Sequence, residues 1–490
     1  MDSLYGNLKK NQYSDYYPFH MPGHKRNLPG RPMESFCGID ITEIDGFDNL
    51  HCPGGILQEM RERAAVLFGA EESFLMVNGS TGGILSAVSA VFRGGDTILM
   101  ARNCHKAVYH SVYLNRLKTE YLYPTFVKEY NICGGISSGK VSEMLTENPE
   151  IKGVLLTSPT YDGVVSDIAS IVRVAHERKV PVIVDEAHGA HFCLDSRFPE
   201  SAVACGADLV IQSIHKTLPS FTQTAVLHVQ GTLVDRDRLK RFLQIYQTSS
   251  PSYILMAGMD QCLSILETER ENLCHSFFKR DKIFCDSTKE LRNINILSMD
   301  NQFKKEYDIV AVDPGKKILS VKGTNCTGQQ LYKLLLEKYH LQPEMAAQDY
   351  VTAILTVCDK EEGVQRLADA LQEIDIGLQR VPDEEFPSVT GCAGTACYDI
   401  HYAMDAEYES IPLKDAAGKI SAGFINIYPP GIPLIVPGEY FTEDIVRQIW
   451  RYKTQGFTVE GMTGKGQQVS IIKEEKNAQN KNCLYDRTCQ

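Results

Sequence analysis

Between residues 55 and 295, short apolar runs alternate with longer amphipathic stretches. The segments 73–77, 97–101, 153–157, 180–185, 208–213 and 224–229 have the length and β-branched content of buried strands. Helical stretches such as 84–92 and 169–178 lie between most of them. This alternation predicts a mainly parallel sheet with helices on both faces. The texture changes after about 295. Strands over 308–312, 317–321 and 350–357 and helices over 327–339 and 361–375 predict a smaller α+β unit. Residues 1–40, rich in Tyr, Pro, Gly and His, read as an extended arm. Residues from 464 onward are polar and read as a mobile tail. The expected organisation is an arm (1–40), a large domain (41–295), a small C-terminal domain (296–463) and a tail (464–490).

Composition narrows the class without naming the chemistry. The chain has 490 residues, 43% apolar and 23% charged, as expected for a globular protein with an ample core. A net charge of -12 argues against a nucleic-acid binder, which carries a basic surplus. No apolar run is long enough to span a bilayer, and the first residues lack a basic and apolar secretory signal. The 15 cysteines include no C-x-x-C pair. Reduced thiols in a cytoplasm are therefore expected, with no structural metal.

Polar groups cluster where the predicted strands end. Lys216 follows the run ending at 213, in Ser213-Ile214-His215-Lys216. An amine held there suits capture of a carbonyl cofactor such as pyridoxal phosphate, whereas a lone lysine at a strand end is more often a surface residue. Asn78-Gly79-Ser80-Thr81-Gly82-Gly83 joins a strand to a helix. Backbone N–H groups and hydroxyls there suit a phosphate, and an ordinary helix cap gives the same pattern. Asp185, in Asp185-Glu186-Ala187-His188, ends an apolar strand and suits a pyridinium nitrogen, or simply caps the next loop. His188 fits a proton donor, a ring neighbour or a core histidine equally. His105, in Arg102-Asn103-Cys104-His105-Lys106, suits stacking on a flat ring, and Lys106 is a rival amine. A helicase reading of Asp185 to His188 is disfavoured. The partial phosphate loop Gly134-Gly135-Ile136-Ser137-Ser138-Gly139-Lys140 is followed by Val141 rather than Ser or Thr. Groups at 80, 105, 185 and 216 thus fall at one sheet edge, where open α/β sheets bind ligands.

At this point the chain resembles the ornithine/lysine/arginine decarboxylase family, pyridoxal-phosphate enzymes of the aspartate-aminotransferase fold (fold type I). The markers are Phe19-His20-Met21-Pro22-Gly23-His24-Lys25, the motifs around Ser80, His105, Asp185 and Lys216, and Ser158-Pro159-Thr160-Tyr161-Asp162-Gly163. Tyr428-Pro429-Pro430-Gly431 and Pro437-Gly438-Glu439 complete them. The resemblance implies that Lys216 bonds to the cofactor and that Ser80, Thr81, Ser213 and His215 hold its phosphate. It implies that His105 stacks on the ring, Asp185 pairs with the ring nitrogen and His188 lies near the reacting carbon. It also implies a homodimer in which Thr248 and Ser250 reach the neighbour's phosphate, with Glu439 facing the distal cation of a basic amino acid. Pro219 and Phe221 depart from the small residues expected after the lysine. The chain looks like the short family form, lacking an N-terminal wing. The reaction implied is decarboxylation of arginine, with lysine and ornithine as alternatives. The alternative is an aminotransferase or lyase, which would normally need an arginine to clamp the substrate carboxylate, and no arginine is readily placed there; a non-catalytic paralogue would retain cofactor colour without turnover.

Overall fold

The computed structural model describes residues 3–18, 20–26, 30, 32–382, 396–428 and 431–473. Phe19, Pro429, Pro430 and the tail beyond 473 lie outside the described residues. Seven strands form the central sheet: β1 (Glu72–Met76), β2 (Thr97–Ala101), β3 (Lys118–Leu122), β4 (Ile151–Thr157), β5 (Val182–Asp185), β6 (Leu209–Gln212) and β7 (Ala225–Val229). Their spatial order is β1-β7-β6-β5-β4-β2-β3. Only β7 runs antiparallel to its neighbours. Strands β2, β5 and β6 are buried along their whole length, so they read as unbroken apolar runs. Strand β3 lies at the sheet edge and is mostly half-buried, which leaves its Lys-Thr-Glu-Tyr-Leu sequence without a clear strand pattern.

Four helices matter for the site: α1 (Gly79–Val91), α2 (Lys106–Asn115), the single turn α3 (Ile214–Thr217) and the 36-residue α4 (Tyr253–Thr288). The first forty residues depart from the expected extended arm. Ser3 caps a helix over Leu4–Gln12, accepting from the Gly6 N–H at 3.0 Å. Leu4 and Leu8, one turn apart, are fully buried in the core that α4 shares. Asp260 of α4 accepts from the Leu4 N–H at 2.8 Å and from Arg63 at 2.6 Å. Two leucines make too short a periodic pattern to stand out before a Tyr- and Pro-rich stretch, and tertiary packing supplies the stability that so short a helix lacks alone.

The small domain is built on β8 (Asn295–Ile296), β9 (Lys316–Ser320), β10 (Met345–Ala346) and β11 (Tyr350–Ile354), antiparallel in the order β8-β9-β11-β10. The strand expected over 308–312 does not join this sheet. Ile309–Val312 pairs instead with Val164–Ser166 of the large domain. The remainder of the small domain forms a further unit with its own core around Leu413, Ile425, Leu434, Ile449 and Val469. Part of the expected tail belongs to it. Gln468–Ile472 pairs with Tyr408–Pro412, turning Val469 and Ile471 inward, so edge pairing outweighs the polar composition.

Candidate active site

The loops leaving the C-terminal ends of β1, β2, β4, β5 and β6 enclose a cavity of about 560 Å³. Ser80, Thr81, His105, Asp185, His188, Ser213, His215 and Lys216 all line it. Strand order explains the gathering. Asp185 pairs with Thr157 on one side and Ile211 on the other, so β4, β5 and β6 end level with one another.

At one end stands the start of α1. Gly79 adopts φ +68° at the turn into the helix. A Cβ on Gly83 would lie 3.0 Å from Ile211 Cγ2, so glycine there lets α1 cross close over β6. That approach brings the Ser80 and Ser213 hydroxyls to 3.0 Å. No side chain caps the helix, because Asn78 donates to the Tyr246 carbonyl instead, at 2.9 Å. An uncapped helix N-terminus with hydroxyls beside it suits a phosphate. The His215 ring is fixed by Nδ1–H donating to the Thr224 carbonyl at 2.8 Å.

Lys216 projects from α3 into the cavity, its Nζ 3.0 Å from Nε2 of His188. Burial pulls the Lys216 amine below its usual pKa, while Asp185 and Glu344 oppose that shift. The His188 imidazole is held far below its usual value by burial, reinforced by Lys316 and Lys216, so it is neutral at pH 7. Its Nδ1 meets Lys316 Nζ at 2.9 Å.

Asp185 is buried and accepts only a weak bond from the Ala187 N–H, at 3.2 Å. Burial raises its pKa and Lys216 opposes the rise. Its neighbour Glu186 points the opposite way, as alternation along a strand requires. Glu186 accepts from Ser201, the Ala202 N–H and Gln212, which ties it to the scaffold. His105 caps α2, its Nδ1 accepting from the Ala107 N–H at 3.2 Å. Burial, with help from Lys216 and Lys106, lowers its pKa to about 4. The ring is therefore neutral at pH 7 where it lines the cavity. Hydroxyls beside an uncapped helix N-terminus, a buried carboxylate with no ion pair among the described residues, a neutral ring and an amine together fit a phosphorylated pyridine aldehyde.

Other expected residues stand elsewhere. Glu439, expected to face a substrate cation, is not among the residues that line the cavity. Its carboxylate is buried, accepting from Arg102 Nη2 at 3.1 Å and from the Val436 N–H at 2.9 Å. Arg102 also donates to the Pro433 carbonyl at 2.8 Å, so the pair fastens 433–439 to the end of β2. Removing one member of a buried ion pair leaves the other uncompensated. Arg102→Met is therefore expected to cost about 3 kcal/mol of stability, read by urea unfolding. Thr248 and Ser250 are exposed and lie outside the cavity of their own chain. Lys106 pairs with Glu460 at 3.0 Å, and Lys140 with Glu143 on its own helix. Pro219 and Phe221 line a separate groove beside α4, with Tyr5 and Ile254.

Three groups in or behind the cavity wall escaped the sequence reading. Glu344, just before β10, lines the cavity and accepts from the Tyr161 hydroxyl at 2.5 Å. Lys316, at the start of β9, backs His188. Both come from the small domain, so no motif near Lys216 announces them. Tyr161 sits in a quoted motif, but only the fold shows that it faces Glu344.

Comparison with known proteins agrees with this geometry. A family model described as Orn/Lys/Arg decarboxylase, major domain, matches residues 3–332, and the C-terminal domain of that family matches 392–459. The arginine decarboxylase of Bacillus subtilis is 34% identical, covering 97% of this chain and 99% of that protein. The crystal structure of the Francisella novicida lysine decarboxylase superposes with a TM-score of 0.83 at 20% identity, covering 96% of this chain and 81% of that one. A ureidoglycine–glyoxylate aminotransferase from Bacillus subtilis superposes with a TM-score of 0.52 at 13% identity, over 66% of this chain and 85% of that one. With the family model covering most of the chain and a sheet edge built for this chemistry, the chain belongs to the Orn/Lys/Arg decarboxylase family of fold type I enzymes.

Proposed function

We propose that this enzyme uses pyridoxal 5'-phosphate to decarboxylate arginine, releasing agmatine. The observation that carries the reading is the meeting of Lys216, Asp185 and the Ser80–Ser213 pair in one cavity. When bound, the cofactor supplies an aldehyde for amines and a cationic ring that accepts the electron pair left as CO₂ departs. Ser80, Thr81, Ser213, His215 and the first N–H groups of α1 hold its phosphate. His105 stacks on its ring, and Asp185 keeps a proton on the ring nitrogen. Lys216 provides the amine that anchors the aldehyde. Lys216 and the adjacent His188 carry the proton returned to the α-carbon.

The distal cation of the substrate falls to Glu344, a carboxylate that lines the cavity and keeps one oxygen beyond its bond to Tyr161. A carboxylate pairs with a guanidinium in two parallel bonds. Arginine is favoured because the Bacillus subtilis and Bacillus anthracis relatives named arginine decarboxylase share about a third of their residues with this chain. Thr248 and Ser250, exposed in one chain, serve the phosphate of a second copy in a homodimer. Cys37, Cys104, Cys262 and Cys274 are buried thiols outside any disulfide, which suits a reducing cytoplasm. No described helix is long and apolar enough to cross a membrane.

The test is amine detection after incubation with arginine, lysine or ornithine. Agmatine from arginine is the expected product, and cadaverine or putrescine as the main product overturns the substrate assignment. Glu344→Gln is expected to raise KM for arginine by about 10- to 100-fold, the worth of one charged hydrogen bond. The effect on kcat should be smaller.

A further inference from the structure

Tyr161 enters the scheme above only as a donor to Glu344, yet its side chain touches two working groups. The hydroxyl donates to Glu344 Oε1 at 2.5 Å. The ring packs against the His188 imidazole, with centroids 4.9 Å apart and planes at 67°. Glu344 is the proposed partner of the distal cation, and His188 a proposed carrier of the proton returned to the α-carbon. One aromatic side chain therefore joins the group that reads the far end of the substrate to a group that works on its near end.

The backbone on both sides of Tyr161 is fixed in the turn that follows β4. On one side, the Thr160 N–H donates to the Val164 carbonyl at 2.8 Å, and the Thr160 hydroxyl accepts from the Val164 N–H at 3.1 Å. On the other, Asp162 accepts from the Tyr350 hydroxyl of β11 at 2.9 Å. Gly163 closes the turn at φ +90°, where a Cβ would lie 2.7 Å from Lys316 Cβ. Glu344 is the opposite case, an exposed residue at the cavity wall. A glutamate there gives up rotamer freedom when a ligand fixes it. A hydroxyl that already holds one oxygen removes part of that loss before the substrate arrives. A guanidinium gains most, because its two parallel bonds demand an oriented carboxylate, whereas an ammonium needs only a nearby charge. At the other end, the His188 nitrogens meet Lys316 at 2.9 Å and Lys216 at 3.0 Å. The Tyr161 ring adds an edge-to-face contact that keeps the imidazole in that line.

We propose that Tyr161 is a positioning residue for both ends of the substrate: its hydroxyl orients Glu344 for the guanidinium, and its ring keeps His188 beside Lys216. The inference rests on the reading of Glu344 as the partner of the distal cation, and its test separates the two.

Steady-state kinetics of the loaded enzyme with arginine supply the test. Tyr161→Phe removes the hydroxyl and keeps the ring. Its KM is expected to rise about tenfold, as for one hydrogen bond to a charged group, with kcat within about twofold of the wild type. Tyr161→Leu removes the ring as well and should also lower kcat by about tenfold, so the phenylalanine variant restores kcat but not KM. In a Glu344→Ala background, Tyr161→Phe should raise KM no further, because the hydroxyl acts through that carboxylate. A further rise there overturns the proposal, as does an equal kcat in Tyr161→Leu and Tyr161→Phe. If Glu344→Ala leaves KM unchanged, the assignment of Glu344 fails and takes the role of the hydroxyl with it. A raised KM in Glu344→Ala beside an unchanged one in Tyr161→Phe sinks the proposal alone.

Discussion

Lys216→Ala is expected to lose covalent retention of pyridoxal phosphate and to lower CO₂ release from arginine by about 10³-fold or more, since both the nucleophile and a proton carrier are removed. Borohydride reduction of the wild-type enzyme should leave a pyridoxyl group on the peptide containing residue 216, read by mass spectrometry. Label on Lys106 would sink the assignment. The structure gives a physical reason to expect 216. Lys106 spends its charge on Glu460, whereas Lys216 is half-buried in the cavity with its pKa pulled below the usual value. A lower pKa means more free amine at neutral pH, the form that attacks an aldehyde. His188 adds a hydrogen-bond partner 3.0 Å away that does not itself carry charge.

The residues legible in the sequence are those whose position follows from a strand end. Lys216, Asp185, His105 and Ser80 each come within a few residues of a buried apolar run, and parallel strands in one sheet bring such ends to one edge. Strand β2 was read with its observed limits because it is buried on both faces and bounded by polar turns. What escaped depends on packing between distant segments. Glu344 meets the cavity, and Lys316 reaches His188 behind it, only because the small domain folds back over the sheet edge, and no local pattern encodes that closure. Glu439 illustrates the converse. Its motif is conspicuous, but its charge is consumed by Arg102, 337 positions away in the chain. A carboxylate read from sequence carries no information about which cation it meets. The helix over Leu4–Gln12 falls between these cases, since its two buried leucines were visible and the long helix they pack on was not.

Asp185→Asn should separate catalysis from folding more cleanly than any other change in this site. The carboxylate is buried beside one weak N–H donor, with no ion pair among the described residues. Burial therefore holds its pKa above the ordinary carboxylate value. An acid whose folded pKa is raised binds its proton more tightly in the folded state. Its ionisation then costs stability as the pH rises above the unfolded value. In the cofactor-free protein at pH 7, the neutral amide removes that cost, so Asp185→Asn is expected to raise the Tm. Turnover should move the other way. The amide cannot hold a proton on the ring nitrogen, and loss of one partner from a buried charge pair costs about 3 kcal/mol, a fall of about 10²-fold in rate. A residue that only braced the fold would lower both. Calorimetry of the cofactor-free variant and CO₂ release from the loaded one decide between these roles, and a lower Tm with unchanged turnover would remove Asp185 from the chemistry.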